Sequence, residues 1–369
     1  MKFLHTADWQ LGLKLNFIPG ESGSRARQMR FEAVRTLAKL AKENAVDAVL
    51  VAGDVLDDNA VGPDTLQQTR DALEKFAPIP VFLLPGNHDA VSQHQNEHAP
   101  QSALLRLNAG SHVHIISTTE THEIGNAVIH PCPLTQRHSM DDPTLHLPSV
   151  TDDSRIHIAV GHGGTLDLTE EANQPNLINP KTVEEKGYAY LALGDWHGVK
   201  QISNRCWYSG APEATRFKEK KPGFALLVEI NTPSEQPVIK QLPVAETRWI
   251  RIIRTLENEA DLDAFFQEFK TIEEPSRTLV SLELDGLVTL SGQAHLESFL
   301  EEQAQRLLHL RIKTMQIHQQ PSPDDLAAMQ TEGFVQSTIE QLHQQGSEQS
   351  ADALVLLHRI MMEQNHADA

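Results

Sequence analysis

Two cysteines in 369 residues, Cys132 and Cys206, are too few and too far apart for a disulfide framework or a thiolate metal knuckle. Both read as reduced thiols of a cytoplasmic protein. Long apolar runs are missing too. No stretch approaches the roughly 18 uninterrupted apolar residues that a membrane helix needs. The N-terminus meets polar residues at Thr6 and Asp8, too soon for the apolar region of a signal peptide. Positive charge is the third scarcity: 31 Lys and Arg stand against 50 Asp and Glu, a formal net charge of −19. That balance excludes the broad basic footprint of most nucleic-acid-binding proteins.

The scarcity is uneven. Residues 1–199 hold 15 basic and 25 acidic side chains, and residues 255–369 hold 6 and 20. Residues 200–254 reverse the sign, with 10 basic and 5 acidic. Arg216, Lys218, Lys220 and Lys221 lie in this island. It reads either as a solvated surface loop or as a strip that follows phosphates.

A chain of this length exceeds one ordinary hydrophobic core, which predicts two domains or a domain with an appendage. The first half alternates short apolar runs with helical stretches, which is α/β architecture. Asp47–Ala52, Ile79–Leu84, Ile156–Val160 and Tyr190–Leu193 read as buried strands. From about Ser24 to Asn44 a helical face carries Phe31, Val34, Leu37, Ala38 and Ala41. From Trp249 a βαβαβ module is predicted: strands at Trp249–Leu256, Thr278–Leu284 and about Leu310–Lys313, with two apolar-striped helices between them. After Pro321 and Pro323 come two further helical segments. One carries Val335, Ile339 and Leu342, and the other, from about Ser350 to Glu363, carries Leu354, Leu357 and Met361. The boundaries read 1–245, 246–318 and 319–369, with no internal repeat.

Each strand of the first half ends in polar residues. The clusters are Asp8-Trp9-Gln10, Gly53-Asp54-Val55-Leu56-Asp57, Gly86-Asn87-His88-Asp89, Gly161-His162-Gly163-Gly164 and Gly194-Asp195-Trp196-His197. Strand carboxyl ends in an open α/β sheet line one crevice, so the five should converge. Any one of them has a plain structural explanation, a turn or a hydrogen-bonded histidine. Five in order, each at a strand end, point to a site. Carboxylate, amide and imidazole without thiolate suit Mn²⁺, Fe or Zn²⁺, and Asp54 at a sharp turn is the natural bridge between two ions.

The series resembles the calcineurin-like metallophosphoesterase signature: Asp-x-His, Gly-Asp-x-x-Asp, Gly-Asn-His-Asp/Glu, a lone His, then Gly-His-x-His. Gly86–Asp89 and Gly53–Asp57 match in full. The opening, Leu4 to Gly12, further resembles the SbcD-type DNA repair exonucleases, as does Tyr208-Ser209-Gly210-x-Pro212-Glu213 followed by a βα cap. The resemblance covers about residues 1–320, and beyond that it is one of layout.

The resemblance implies a β-sandwich-like α/β core of two layers, a small βαβαβ cap and C-terminal helices. It implies two divalent metals and hydrolysis of phosphodiesters, with DNA cut as by an exonuclease or end-processing nuclease. The first metal would take Asp8, Gln10, Asp54 and His197, and the second Asp54, Asn87, His162 and Asp195. His88 would assist the leaving oxygen, Asp89 would orient His88, and Asp57 would stand behind the ligands. An SMC-like, SbcC-type ATPase would be the partner, docked on the C-terminal helices; a homodimer stays open. Gln10 and Asp195 depart from the pattern, each standing where the family has a histidine. The added oxygen favours Mn²⁺ over Zn²⁺. Two rivals stay open: a phosphoesterase for small molecules or proteins, and a non-catalytic partner protein that has kept the fold.

Overall fold

The computed structural model describes residues 1–91, 102–151, 154–165, 174–319 and 334–345, with a few positions between 347 and 357. Its two compact units are Met1–Thr247 and Arg248–Ala369. The first unit runs, in chain order, β1 (Lys2–Thr6), α1 (Gly20–Glu43), β2 (Ala48–Val51), α2 (Pro63–Leu73), β3 (Val81–Leu83), β4 (Val113–Ile115), β5 (His122–Ile124), β6 (Ala127–Cys132) and β7 (Ile156–His162). It continues through β8 (Gly164–Thr165), β9 (Leu177–Ile178), α3 (Lys181–Glu185), β10 (Tyr190–Gly194), β11 (Lys200–Gln201), β12 (Cys206–Tyr208), β13 (Phe224–Glu229) and β14 (Val238–Pro243). Two six-stranded sheets result, ordered β14-β13-β1-β2-β3-β4 and β11-β12-β10-β7-β6-β5.

Strand alternation explains why these sheets stack. In the first sheet Phe3, Leu50, Phe82 and Leu226 turn to one side and join Ile129, Ile158, Tyr190 and Ala192 of the second sheet in one core. Their neighbours Leu4, Val49, Val51, Val81 and Leu83 turn the other way, onto Phe31, Val34, Leu37, Leu66 and Phe76 around α1 and α2. The outer face of the second sheet packs Cys132, Ala159, Leu191, Leu193 and Tyr208 against Ile178 and Val183. The core is therefore a sandwich with helices on its outer faces. Both cysteines are buried and form no disulfide. No helix among the described residues is long and apolar enough to cross a membrane.

In this first unit the β1, β2, β3, β7 and β10 strands run parallel to at least one neighbour. Their carboxyl ends therefore gather at one edge of the sandwich. Antiparallel β13 and β14 complete the first sheet. The sequence pattern did not reveal these two strands.

The second unit is β15 (Arg248–Leu256), α4 (Glu259–Lys270), β16 (Thr278–Val288), α5 (Leu290–Arg306) and β17 (His309–Gln319), then α6 (Phe334–Gln345). The three strands pair in parallel with β16 in the middle. Leu262, Phe265 and Phe269 of α4 and Leu296, Phe299 and Leu300 of α5 bury against Ile252, Val280, Leu282 and Leu284. In the C-terminal segment Ile339 and Leu354 are buried together with Val335, Leu342 and Leu357 around them. The two apolar stripes expected to receive a partner thus pack on each other. Met361 lies outside the described residues.

One buried network fixes the exit from the first unit. The Glu213 carboxylate accepts the main-chain N–H groups of Glu246 and Thr247 and the Thr247 hydroxyl. Arg30 of α1 donates to the carbonyls of Ala214 (2.9 Å) and Trp9 (2.8 Å). Replacing the carboxylate would strand several buried donors, each costing ~1–3 kcal/mol. Glu213→Ala should therefore destabilise the protein by about 3 kcal/mol or more in urea denaturation. Glu213→Gln, which keeps one acceptor oxygen, should lose clearly less.

Candidate metal centre

Four of the candidate residues adopt backbone conformations that side chains normally avoid. Asp8 has φ 55°, Gln10 44°, Asp54 54° and Asp195 98°. In this left-handed region each side chain costs roughly 1–2 kcal/mol, somewhat less for Asp. Such strain clusters at functional sites. It is held here by main-chain bonds between the β1 and β2 loops, Asp8 N–H to Gly53 O (3.0 Å), Gln10 N–H to Asp54 O (2.9 Å) and Leu11 N–H to Val55 O (2.9 Å).

The turn bends Asp8, Asp54 and His162 onto one another. One ligand atom from each lies within 4.8 Å of the others, and all three are buried. Gly86 makes the approach sterically feasible, because a Cβ there would stand 2.1 Å from Asp54 Oδ1. That oxygen accepts the His88 N–H at 2.9 Å. Asp195 enters through its backbone, donating its N–H to both Asp8 carboxylate oxygens at 3.0 and 3.2 Å. Its own carboxylate lies 3.8 Å from His162 Nε2.

The imidazoles show which nitrogens face the centre. His162 Nδ1 donates to Ala52 O at 2.8 Å, which turns Nε2 toward the centre, 3.5 Å from Asp54 Oδ1. Buried His162 Nε2 and Asn87 Oδ1 have no hydrogen-bond partner among the described residues. Two orphaned polar atoms beside buried carboxylates fit a divalent cation, which would take the place of the proton on His162 Nε2, since buried polar atoms otherwise find partners. Electrostatics agree. Burial opposes a charge on His162, yet Asp54, Asp8 and Asp195 raise its pKa to about 9. Burial, with Asp54 and Asp195 adding to it against His197 and His162, pushes Asp8 up to about 6. The centre is a pocket of negative potential that attracts positive charge.

His197 closes the other side. Its Nδ1 donates to Glu219 Oε1 at 2.6 Å, and Thr215 also bonds that carboxylate. Burial would raise Glu219, but the bonds from His197 and Thr215 hold it below the usual carboxylate range. His197 Nε2 is therefore the accepting nitrogen, and the Gln10 amide donates to it at 3.3 Å. In this arrangement Gln10 turns its nitrogen, not its oxygen, to the expected first ligand set. A carboxylate behind a histidine is the arrangement that orients metal ligands. Glu219 escaped the sequence reading because it sits inside a cationic run, and a lone acid in such a run was the available signal.

His88 is oriented differently from the expectation. Its Nδ1 donates to the main-chain carbonyl of Asp57 at 2.6 Å. The Asp89 carboxylate instead accepts Leu56 N–H (3.0 Å) and Gly86 N–H (2.8 Å), pinning the two loops together. Burial first, and then Asp54, pushes the Asp89 pKa to about 7. Asp89 shapes the loop that carries His88, and Asp57 acts through its backbone.

Gln10, Asp54, Asn87, His88, Asp195 and His197 open into one cavity of roughly 850 Å³. Arg216, Lys218, Lys220 and Lys221 line the same cavity. The loop that carries them alternates, with Phe217 against Phe17 and Glu219 against His197, so the cations between them are left exposed.

Residues 1–228 match the calcineurin-like phosphoesterase family. The SbcD subunit of nuclease SbcCD from Staphylococcus saprophyticus is 26% identical, over 69% of this chain and 71% of its own. The DNA double-strand break repair protein Mre11 of Methanosarcina mazei is 24% identical over 78% of this chain, which spans 45% of that relative. A solved structure, TT1561 of Thermus thermophilus, aligns at 12% identity and a TM-score of 0.41 over 66% of this chain and 98% of its own, too loose to carry an argument. With the match reaching across the strand-end clusters from Asp8 to His197, this chain belongs to the calcineurin-like phosphoesterase family.

Proposed function

We propose that this chain is a metal-dependent phosphodiesterase that cuts DNA at or near free ends. The observation that carries the reading is the shared cavity, an acidic centre below and a cationic loop beside it. Carboxylates alone would repel a polyanion, and the Arg216–Lys221 loop offsets that repulsion where the strand must lie. One relative is named as a nuclease subunit and the other as a DNA double-strand break repair protein, which supports the same substrate.

Asp8, Gln10, Asp54 and His197 would hold one divalent cation, and Asp54, Asn87, His162 and Asp195 a second. Such cations neutralise phosphate oxygens and acidify water when bound. Asp54 would serve both sites, its Oδ1 held by the His88 N–H. Glu219 keeps the His197 proton on Nδ1, so that Nε2 faces the centre as a lone pair. His88, anchored at Nδ1 by the Asp57 carbonyl, presents Nε2 to the cavity. In its protonated form that nitrogen can hand a proton to the departing oxygen.

A nuclease at −19 is poorly equipped to hold DNA alone, and the Staphylococcus relative is named as a subunit. An ATPase partner of the coiled-coil kind follows as the second part of the reading. The Val335/Ile339/Leu342 and Leu354/Leu357 stripes cover one another, so the partner would dock on the remaining surface of the C-terminal segment. Removing residues 330–369 should abolish its co-purification and leave metal binding intact, and unchanged co-purification would refute docking there.

His88→Ala should lower turnover on end-bearing DNA by about 10²–10⁴-fold, the usual contribution of a general acid, while metal content by elemental analysis stays level. Metal loss alongside the activity would mean that His88 is a ligand. Bis-p-nitrophenyl phosphate cleaved well with DNA untouched would favour the small-molecule rival, and no bound metal at all would favour the non-catalytic one.

The Gln10–His197 bond competes with metal at the first position. Calorimetric Mn²⁺ titration should give one tight and one weak site. Gln10→His should strengthen the weak one, and Mn²⁺ should restore activity to stripped protein better than Zn²⁺. Two equally occupied sites in the wild type, unchanged by the substitution, would show that Gln10 is no ligand.

A further inference from the structure

The chain has four tryptophans, and only Trp196 stands well exposed, at 38%, while Trp9 is at 1%. An exposed indole loses the apolar burial that tryptophan normally gains, so its placement calls for a reason. Trp196 lines the same cavity as Asp54, His88 and the cationic loop. It lies between Asp195 and His197, with its Cα about 3.8 Å from each neighbour's Cα. Lys200 Nζ stands 5.5 Å from the ring centroid, a cation–π contact that steadies the indole. Gly198 provides the space for this. A Cβ there would lie 3.4 Å from Trp196 Nε1 and 1.9 Å from the Lys220 carbonyl. The indole and the cationic loop therefore share one wall because residue 198 has no side chain.

The geometry points to Trp196 as a stacking platform for an unpaired base next to the phosphate being cut. The inference rests on the DNA-cleaving reading above and narrows its substrate to strands with a single-stranded or frayed terminus. A phosphate over the metal centre leaves its base one sugar away, within reach of a ring borne by the residue between Asp195 and His197. A base inside a duplex has both faces covered by its neighbours and cannot use the ring. Arg216, Lys218 and Lys220 then meet flanking phosphates without regard to sequence. An aromatic platform beside a cationic strip is how single strands are held.

The test compares two single-stranded oligonucleotides, identical except that one has abasic residues around the cleaved phosphate. The readout is the ratio of kcat/KM for the base-bearing strand to that for the abasic one, taken within each protein. Differences in active fraction therefore cancel. Wild type should favour the base-bearing strand on the order of tenfold to a hundredfold, the range expected for stacking on an aromatic side chain. Trp196→Phe should keep most of this preference. Trp196→Leu, which preserves bulk but has no ring, should bring the ratio close to one. A wild-type ratio near one, with both strands cut, would overturn the stacking role and leave the DNA-cleaving reading standing. An unchanged preference in Trp196→Leu would overturn it as well. If wild type cut neither strand but did cut duplex with free ends, this inference would fall alone; if it cut neither strand nor that duplex but did cleave bis-p-nitrophenyl phosphate, the DNA-cleaving reading would fall and this inference with it.

Discussion

Burying negative charge is the constraint around which the rest of the first unit is arranged. Asp8 and Asp54 are almost fully removed from water, and each needs compensation from fixed dipoles or from cations. The fold supplies N–H groups from Asp195 to Asp8 and from His88 to Asp54, together with imidazoles from His162 and His197. These donors come from three strand ends in two different sheets. The sandwich is the means of bringing them together, because it places the parallel strand ends of both sheets at one edge. The outer helices, through Phe31, Leu37 and Phe76, hold the first sheet in position to do so.

Much of this was legible in the sequence. The buried strands ending in Gly-Asp and Gly-Asn-His-Asp announced both the sheet and the crevice, because period-two burial and polar strand ends are local signals. Residues whose role depends on main-chain partners were not legible. Asp89 is an acidic residue next to His88 in the chain, so pairing the two was natural. The structure gives the Asp57 carbonyl that task, and no residue-type pattern reports a carbonyl. Glu219 was concealed by the lysines around it. The stripes at Val335/Ile339/Leu342 and Leu354/Leu357 were read correctly as apolar faces, but a sequence does not say whether such a face meets a partner or its own neighbour.

The charge distribution makes sense once the cavity is known. A net −19 describes the average surface, whereas a substrate meets only the local one. Five cationic residues, Lys200 among them, stand around a centre whose carboxylates divalent cations would neutralise. On the proposed DNA-cleaving reading, the acidic remainder would discourage nucleic acid from settling elsewhere on the surface.

The four strained residues carry a cost in stability. Glycine at positions 8, 10, 54 or 195 would relax the backbone by roughly a kcal/mol each, so stability alone pulls these positions away from ligands. Gln10 gives up the most, since glutamine tolerates that conformation less well than aspartate does. Glycine at these positions would therefore be a stabilising substitution made at the expense of the side chains that the centre uses. At Asp8 and Asp54 the strain is borne by carboxylates that the family pattern also has, and at Gln10 and Asp195 it is borne by side chains that stand in for the family's histidines.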